Sequence, residues 1–197
     1  MVDDDRYRAA VAAIDRANAD DPEILLIDGV ERPKEQAHAE LMTAWVLRLD
    51  PGAGDSQLLA ARAHHLRRWA VPRQDYPDGR SGYLRWRTAQ KSRHADEVAA
   101  ILHDCGYPDE TVERVGQIIR KEHLRSDPEV QVHEDALCLT FLQTQLGLLG
   151  AQLGETKALE VLGKTLAKMS PAGRAHIAEL DLDPGERALV ERAGGPG

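Results

Sequence analysis

Aromatic residues make up only 4% of this 197-residue sequence, and there are two cysteines, Cys105 and Cys138. Two thiols cannot staple a small fold, and the chain is long enough to bury one substantial core instead. No run approaches the roughly 18 apolar residues a membrane-spanning helix needs. The opening Met1-Val-Asp-Asp-Asp lacks the basic-then-apolar order of a secretory leader, so a cytoplasmic protein with reduced thiols is expected. His-Glu-x-x-His, paired Cys-x-x-Cys and Gly-x-Ser-x-Gly are all missing, which removes the usual zinc-protease, zinc-ribbon and serine-hydrolase readings. Gly163-Lys164-Thr165 looks like the end of a phosphate-binding loop, but Ala158 stands where its first glycine belongs and no strand precedes it.

Strand-like alternation is scarce, and Ile24–Ile27 is the one short candidate. Apolar residues recur instead at three- and four-residue spacing over 7–17, 41–49, 58–69, 84–102, 112–124, 136–149 and 159–169. Asp28-Gly29, Pro51-Gly52, Cys105-Gly106-Tyr107-Pro108 and Ser170-Pro171 break the pattern. The expectation is an all-α, compact single domain of about seven to eight helices over residues 1–193, with a disordered tail at 194–197. The longest irregular stretch, Ala70–Gly82, reads as a functional loop.

The formal net charge is −8, yet residues 61–93 hold nine bases and only two acids. That window carries +7 and leaves the rest of the chain at −15. It also holds four of the eight aromatics: Trp69, Tyr76, Tyr83 and Trp86. Arginine forks grip phosphate and aromatic faces stack on bases, so Arg68, Trp69, Arg73, Tyr83, Trp86, Arg87 and Lys91 are candidate substrate-binding residues for a small phosphorylated ligand. The competing reading is a solvated basic face anchored by its aromatics. The acidic remainder makes long nucleic acid an unfavourable partner.

Several helical stripes carry residues of metal-ligating type. Glu35 and His38 precede Met42, Trp45 and Leu49. Arg87, Lys91 and His94 share a face with Val98 and Ile101. Asp135 leads the stripe Cys138, Leu139, Leu142, Leu146 and Leu149, although a helix-capping or first-turn acid is the alternative there. His64 and His65 are adjacent, so on a helix they diverge by about 100° and flank a cleft at best. Neutral imidazoles with carboxylates suit Mn, Zn or Fe. His38, His103, His123, His133 and His176 read as hydrogen-bonded core or interface residues.

Met42-Thr-Ala-Trp45, Ala61-Arg-Ala-His-His65-Leu-Arg-Arg-Trp69-Ala-Val-Pro72-Arg73, Tyr76-Pro77, Gly82-Tyr83-Leu-Arg-Trp86-Arg87, His94-Ala95, Asp127-Pro-Glu-Val-Gln131, Glu134-Asp135-Ala and Lys168-Met-Ser-Pro171-Ala-Gly together resemble domain-of-unknown-function family 4202 over nearly the whole chain. That resemblance implies no settled activity. Within its pattern the second histidine of the pair is the shared one, ranking His65 above His64; Glu35 fits and His38 does not. More distantly, a histidine on one helix, a His pair on the next, His94 and a late Asp135 resemble the layout of the all-helical HD-domain metal phosphohydrolases. The pair departs from that family's motif, since neither histidine is followed by Asp, which weighs against a binuclear site.

Three functional expectations follow. The first is a metal-dependent phosphohydrolase acting on a nucleotide or other small phosphate ester. In it His65, His94 and Asp135 hold one divalent cation (Mn, Zn or Fe), and His64 or Glu35 is the catalytic base or a further ligand. The second is an HD-like iron-dependent oxygenase. The third is a non-enzymatic module docking RNA, tRNA or an acidic protein through 61–93.

Overall fold

The computed structural model describes residues 4–27 and 29–194, so the expected disordered tail lies mostly outside the described residues. Nine α-helices stand among them: α1 (Asp4–Asn18), α2 (Lys34–Leu49), α3 (Asp55–Arg62), α4 (Gly79–Asp104), α5 (Asp109–Arg120), α6 (Pro128–Leu153), α7 (Glu155–Leu166), α8 (Pro171–Ala175) and α9 (Pro184–Gly194). Among the described residues the fold is all-α apart from one antiparallel pair, β1 (Ile24–Ile27) with β2 (Val30–Pro33), in which Ile27 faces Val30. Gly29, just before β2, has φ +78°, a conformation that glycine adopts without steric cost. The second strand was not visible in the hydropathy pattern. No described helix is long and apolar enough to cross a membrane.

The apolar residues gather into two clusters. One is built by Met42, Trp45 and Val46 of α2, the α6 stripe Leu139, Leu142, Leu146 and Leu149, and Ala158, Leu162 and Leu166 of α7. The other joins Ala10 and Ile14 of α1, Leu59 and Ala60 of α3, Val98 and Leu102 of α4, and Val115, Ile118 and Ile119 of α5. Both periodicities are those of helices burying one stripe. The α4 stripe is regular, with Gly82, Trp86, Gln90, His94, Val98 and Leu102 buried at every fourth residue. Its N-terminal half packs on the loop before α4, Gly82 against Pro77 and Trp86 and Gln90 on the Val71 carbonyl.

The helix expected through Trp69 ends at Arg62, and residues 64–67 are turns. Side chains of α4 capture the carbonyls that a continuing helix would use. His94 Nδ1 lies 2.8 Å from the Leu66 carbonyl, Arg93 Nη2 donates to the Arg67 carbonyl at 2.9 Å, and Gln90 Nε2 donates to the Arg68 carbonyl at 2.9 Å. Arg67 is left at φ +49°, its N–H held by Asn18 Oδ1 at 2.9 Å. The expected 70–82 loop is also shorter, because α4 starts at Gly79. Arg73 knits it by donating to the carbonyls of Tyr76 (2.8 Å) and Pro77 (2.9 Å).

Candidate metal centre

Asp21 fixes the entry to the site. Its buried carboxylate accepts from the Glu23 N–H and the Glu35 N–H, both at 2.9 Å, tying the start of the hairpin to the first turn of α2. Glu35 and His38 then lie one turn apart on the buried face of α2, above Met42 and Trp45. The turn after α3 brings His65 onto the same point.

One ligand atom each from Glu35, His38 and His65 falls within 4.8 Å of the other two, a grouping that can hold a metal ion. Glu35 Oε2 is 2.9 Å from His65 Nδ1 and 3.4 Å from His38 Nδ1. The second nitrogen of His38 meets Thr144 Oγ1 at 3.1 Å, which orients the ring from outside. Burial alone would raise the Glu35 carboxyl, but His65 and His38 outweigh it and hold it below the usual carboxylate range. Burial pushes His65 down to about 4 against the opposing pull of Glu35. A carboxylate beside a neutral His65 imidazole is the protonation state a divalent cation requires.

His94 stands next to this group, its ring centroid 6.1 Å from that of His65. Its Nδ1 is committed to the Leu66 carbonyl, while Nε2 is buried with no hydrogen-bond partner. A buried nitrogen with a free lone pair, on a ring oriented by a backbone carbonyl, is the usual disposition of a histidine ligand. On the other side His64 stacks at 4.3 Å from His65, and its Nδ1 lies 2.8 Å from His133 Nε2. Burial holds His64 and His133 neutral as well, both well below the ordinary histidine value.

Asp135 is placed elsewhere. Two residues from His133 on α6, it points some 200° away around the helix. There it accepts from Ser170 N (2.8 Å), Ser170 Oγ (2.6 Å) and Gln131 Nε2 (3.0 Å). Ser170 in turn caps α8 by accepting from the Gly173 N–H at 2.9 Å. The structure therefore brings together Glu35 and His65 of the expected residues, adds His38, and sets His94 and His64 alongside; Asp135 supports the α6–α8 junction.

The basic-aromatic segment divides by role. Arg73 is spent on loop carbonyls, and Trp86 is buried with its Nε1 donating to the Val71 carbonyl at 2.9 Å. Trp69 is half-buried beside the Arg68–Ala70 turn, and Tyr83 is exposed, with its ring 6.1 Å from Trp86. Arg68 lies over the Trp86 ring at 4.6 Å and Arg87 over the Tyr83 ring at 5.7 Å, and neither has a carboxylate partner among the described residues. Burial lowers the Arg68 guanidinium, and the nearby Glu35 charge partly restores it, so this cation sits beside the metal-binding group.

His133 is the hydrogen-bonded core residue expected of it, whereas His38, expected in the same role, also stands in the metal-binding group. The Glu35-x-x-His38 spacing was the available signal for His38. His133 shared no motif with His64 and meets it only through the packing of α6 against the turn after α3.

No curated protein and no solved structure matches this chain. The family model described as Domain of unknown function (DUF4202) matches residues 8–190, and the chain belongs to that family.

Proposed function

We propose that this protein is a metal-dependent phosphohydrolase acting on a nucleotide or other small phosphate ester. The observation that carries the reading is the convergence of Glu35, His38 and His65 beside Arg68. Glu35, His38 and His65 hold one divalent cation, Mn, Zn or Fe, with the buried Nε2 of His94 as a further donor. The bound cation supplies Lewis acidity to a phosphoryl oxygen and lowers the pKa of a bound water. Arg68 offsets the charge on the phosphoryl group, and the lack of a carboxylate partner among the described residues leaves its fork available for it. His64 Nδ1 is engaged with His133, so His64 Nε2 is the ring atom left to hydrogen-bond and orient the attacking water.

The test is hydrolysis of para-nitrophenyl phosphate and of a nucleotide panel by chelator-stripped protein reconstituted with Mn, Zn or Fe. Turnover that depends on the cation and falls at least 100-fold in Glu35→Gln supports the reading; inert protein with every cation refutes it.

Two histidines and one carboxylate are also the ligand set of oxygen-activating non-haem iron, which favours an iron-dependent oxygenase as the second reading. Selective iron retention, with oxygen consumption in place of phosphate release, would identify it.

A further inference from the structure

Beyond His64 the chain gathers a second set of charged groups that the metal-binding residues do not use. Lys121 and Glu134 form a buried ion pair, with their side chains 6% and 2% exposed. One lysine suffices to neutralise one glutamate, yet three more cations converge there. Lys168 Nζ stands 3.7 Å from the other Glu134 oxygen. Lys91 Nζ donates to the Arg120 carbonyl at 3.3 Å. Arg87 has no carboxylate partner among the described residues, and its charge adds to burial in disfavouring the ammonium groups of both Lys91 and Lys121. Among the described residues four cations thus share one carboxylate, a local surplus of positive charge.

A further observation points to a ligand. The ring of His133, 1% exposed and close enough to Lys121 and Lys91 to be destabilised as a cation by both, keeps a buried Nδ1 with no partner among the described residues. The rings of His65, His64 and His133 follow one another at 4.3 and 4.7 Å, so this cluster borders the metal-binding group without belonging to it.

We infer that Lys91, Lys168 and Arg87, arranged around the Lys121–Glu134 pair, bind a phosphate-type dianion, so that the substrate carries a second anionic group besides the one at the metal. That the anion is part of a substrate rests on the phosphohydrolase reading, but the anion subsite is tested without it. A dianion offsets two of the three surplus positive charges, and lysines bind phosphate as point charges without needing bidentate geometry.

The experiment is calorimetric titration of inorganic phosphate into chelator-stripped, dialysed protein, with Lys91→Met, Lys168→Met and His65→Ala variants shown to be folded by circular dichroism. Parent protein should bind one phosphate saturably, and each lysine variant should weaken it about tenfold or more. His65→Ala, which breaks the metal group, should bind phosphate within about twofold of the parent. Absence of saturable binding in the parent, or parent-like affinity in both lysine variants, overturns the subsite. Loss of phosphate binding in His65→Ala also overturns it, by placing the anion at the metal group. Failure of the metal reading shows separately, as parent protein that takes up no cation.

Discussion

Replacing Asp135 by Ala distinguishes a carboxylate that braces the fold from one that binds metal. The Asp135 side chain gives up three hydrogen bonds in that variant, two to Ser170 and one to Gln131. Bonds to a charged group contribute about 1.5–3 kcal/mol each, but a residue only 3% exposed also sheds a desolvation penalty on removal. The net loss is set near 3 kcal/mol, which for a chain of this length lowers Tm by about 6–12 °C. Gly173→Ala should reproduce the effect through the same contact. A Cβ there would come 2.4 Å from Asp135 Cγ and 2.7 Å from Oδ2, and the carboxylate cannot retreat without releasing Ser170. Differential scanning calorimetry gives Tm, and metal content of the folded variant, taken well below its transition, gives the second readout. Metal content should equal the parent's. A Tm within about 2 °C of the parent, or metal lost at unchanged stability, would refute the structural role.

Gly82→Ala should cost about 2–3 kcal/mol in urea unfolding, since its Cβ would lie 1.8 Å from the Pro77 carbonyl oxygen, and that backbone has to move; a neutral result would mean the 70–79 loop is not packed on α4. Trp86→Phe removes the bond to the Val71 carbonyl, which Gln90 still satisfies at 3.2 Å, so the expected loss is about 1 kcal/mol or less in the same assay. Asp127 is held down to about 2 by its hydrogen bonds from Arg114, so its contribution is complete above its unfolded value near 3.8 and disappears as pH falls through about 2. With the side chain 19% exposed, screening reduces this to about 1–2 kcal/mol. Arg114→Met should flatten the fall in urea midpoint between pH 4 and pH 2, and an unchanged acid limb would count against the pair.

The fold class was legible because buried stripes at helical spacing are a local property of the sequence. Met42, Trp45 and Val46 on α2 and Leu139, Leu142 and Leu146 on α6 are buried as their spacing predicts. The end of α3 was not legible, since what stops the helix at Arg62 is competition for carbonyls from Gln90, Arg93 and His94, residues some 25 positions later. The same limit governs the site. Glu35 and His65 were visible as a carboxylate on an apolar stripe and a tandem histidine, but local pattern cannot say which distant partners meet. Asp135 and His133 are two residues apart on α6, and rotation about the helix axis sends one to Ser170 and the other to His64. Arg73 illustrates a second ambiguity: a guanidinium fork matches three convergent carbonyls as well as it matches a phosphate.

The central claim is that Glu35, His38 and His65 form a metal-binding group, and cation stoichiometry tests it most directly. Purified protein, stripped with chelator and re-equilibrated separately with Mn, Zn and Fe(II), is analysed by inductively coupled plasma mass spectrometry beside Glu35→Gln, His38→Ala, His65→Ala and the exposed-site control His103→Ala. The account predicts about one equivalent of at least one cation in the parent and in the control, with affinity reduced at least tenfold in each of the other three variants while circular dichroism shows them folded. Parent protein that retains none of the three cations, or equal occupancy across all the variants, would contradict it.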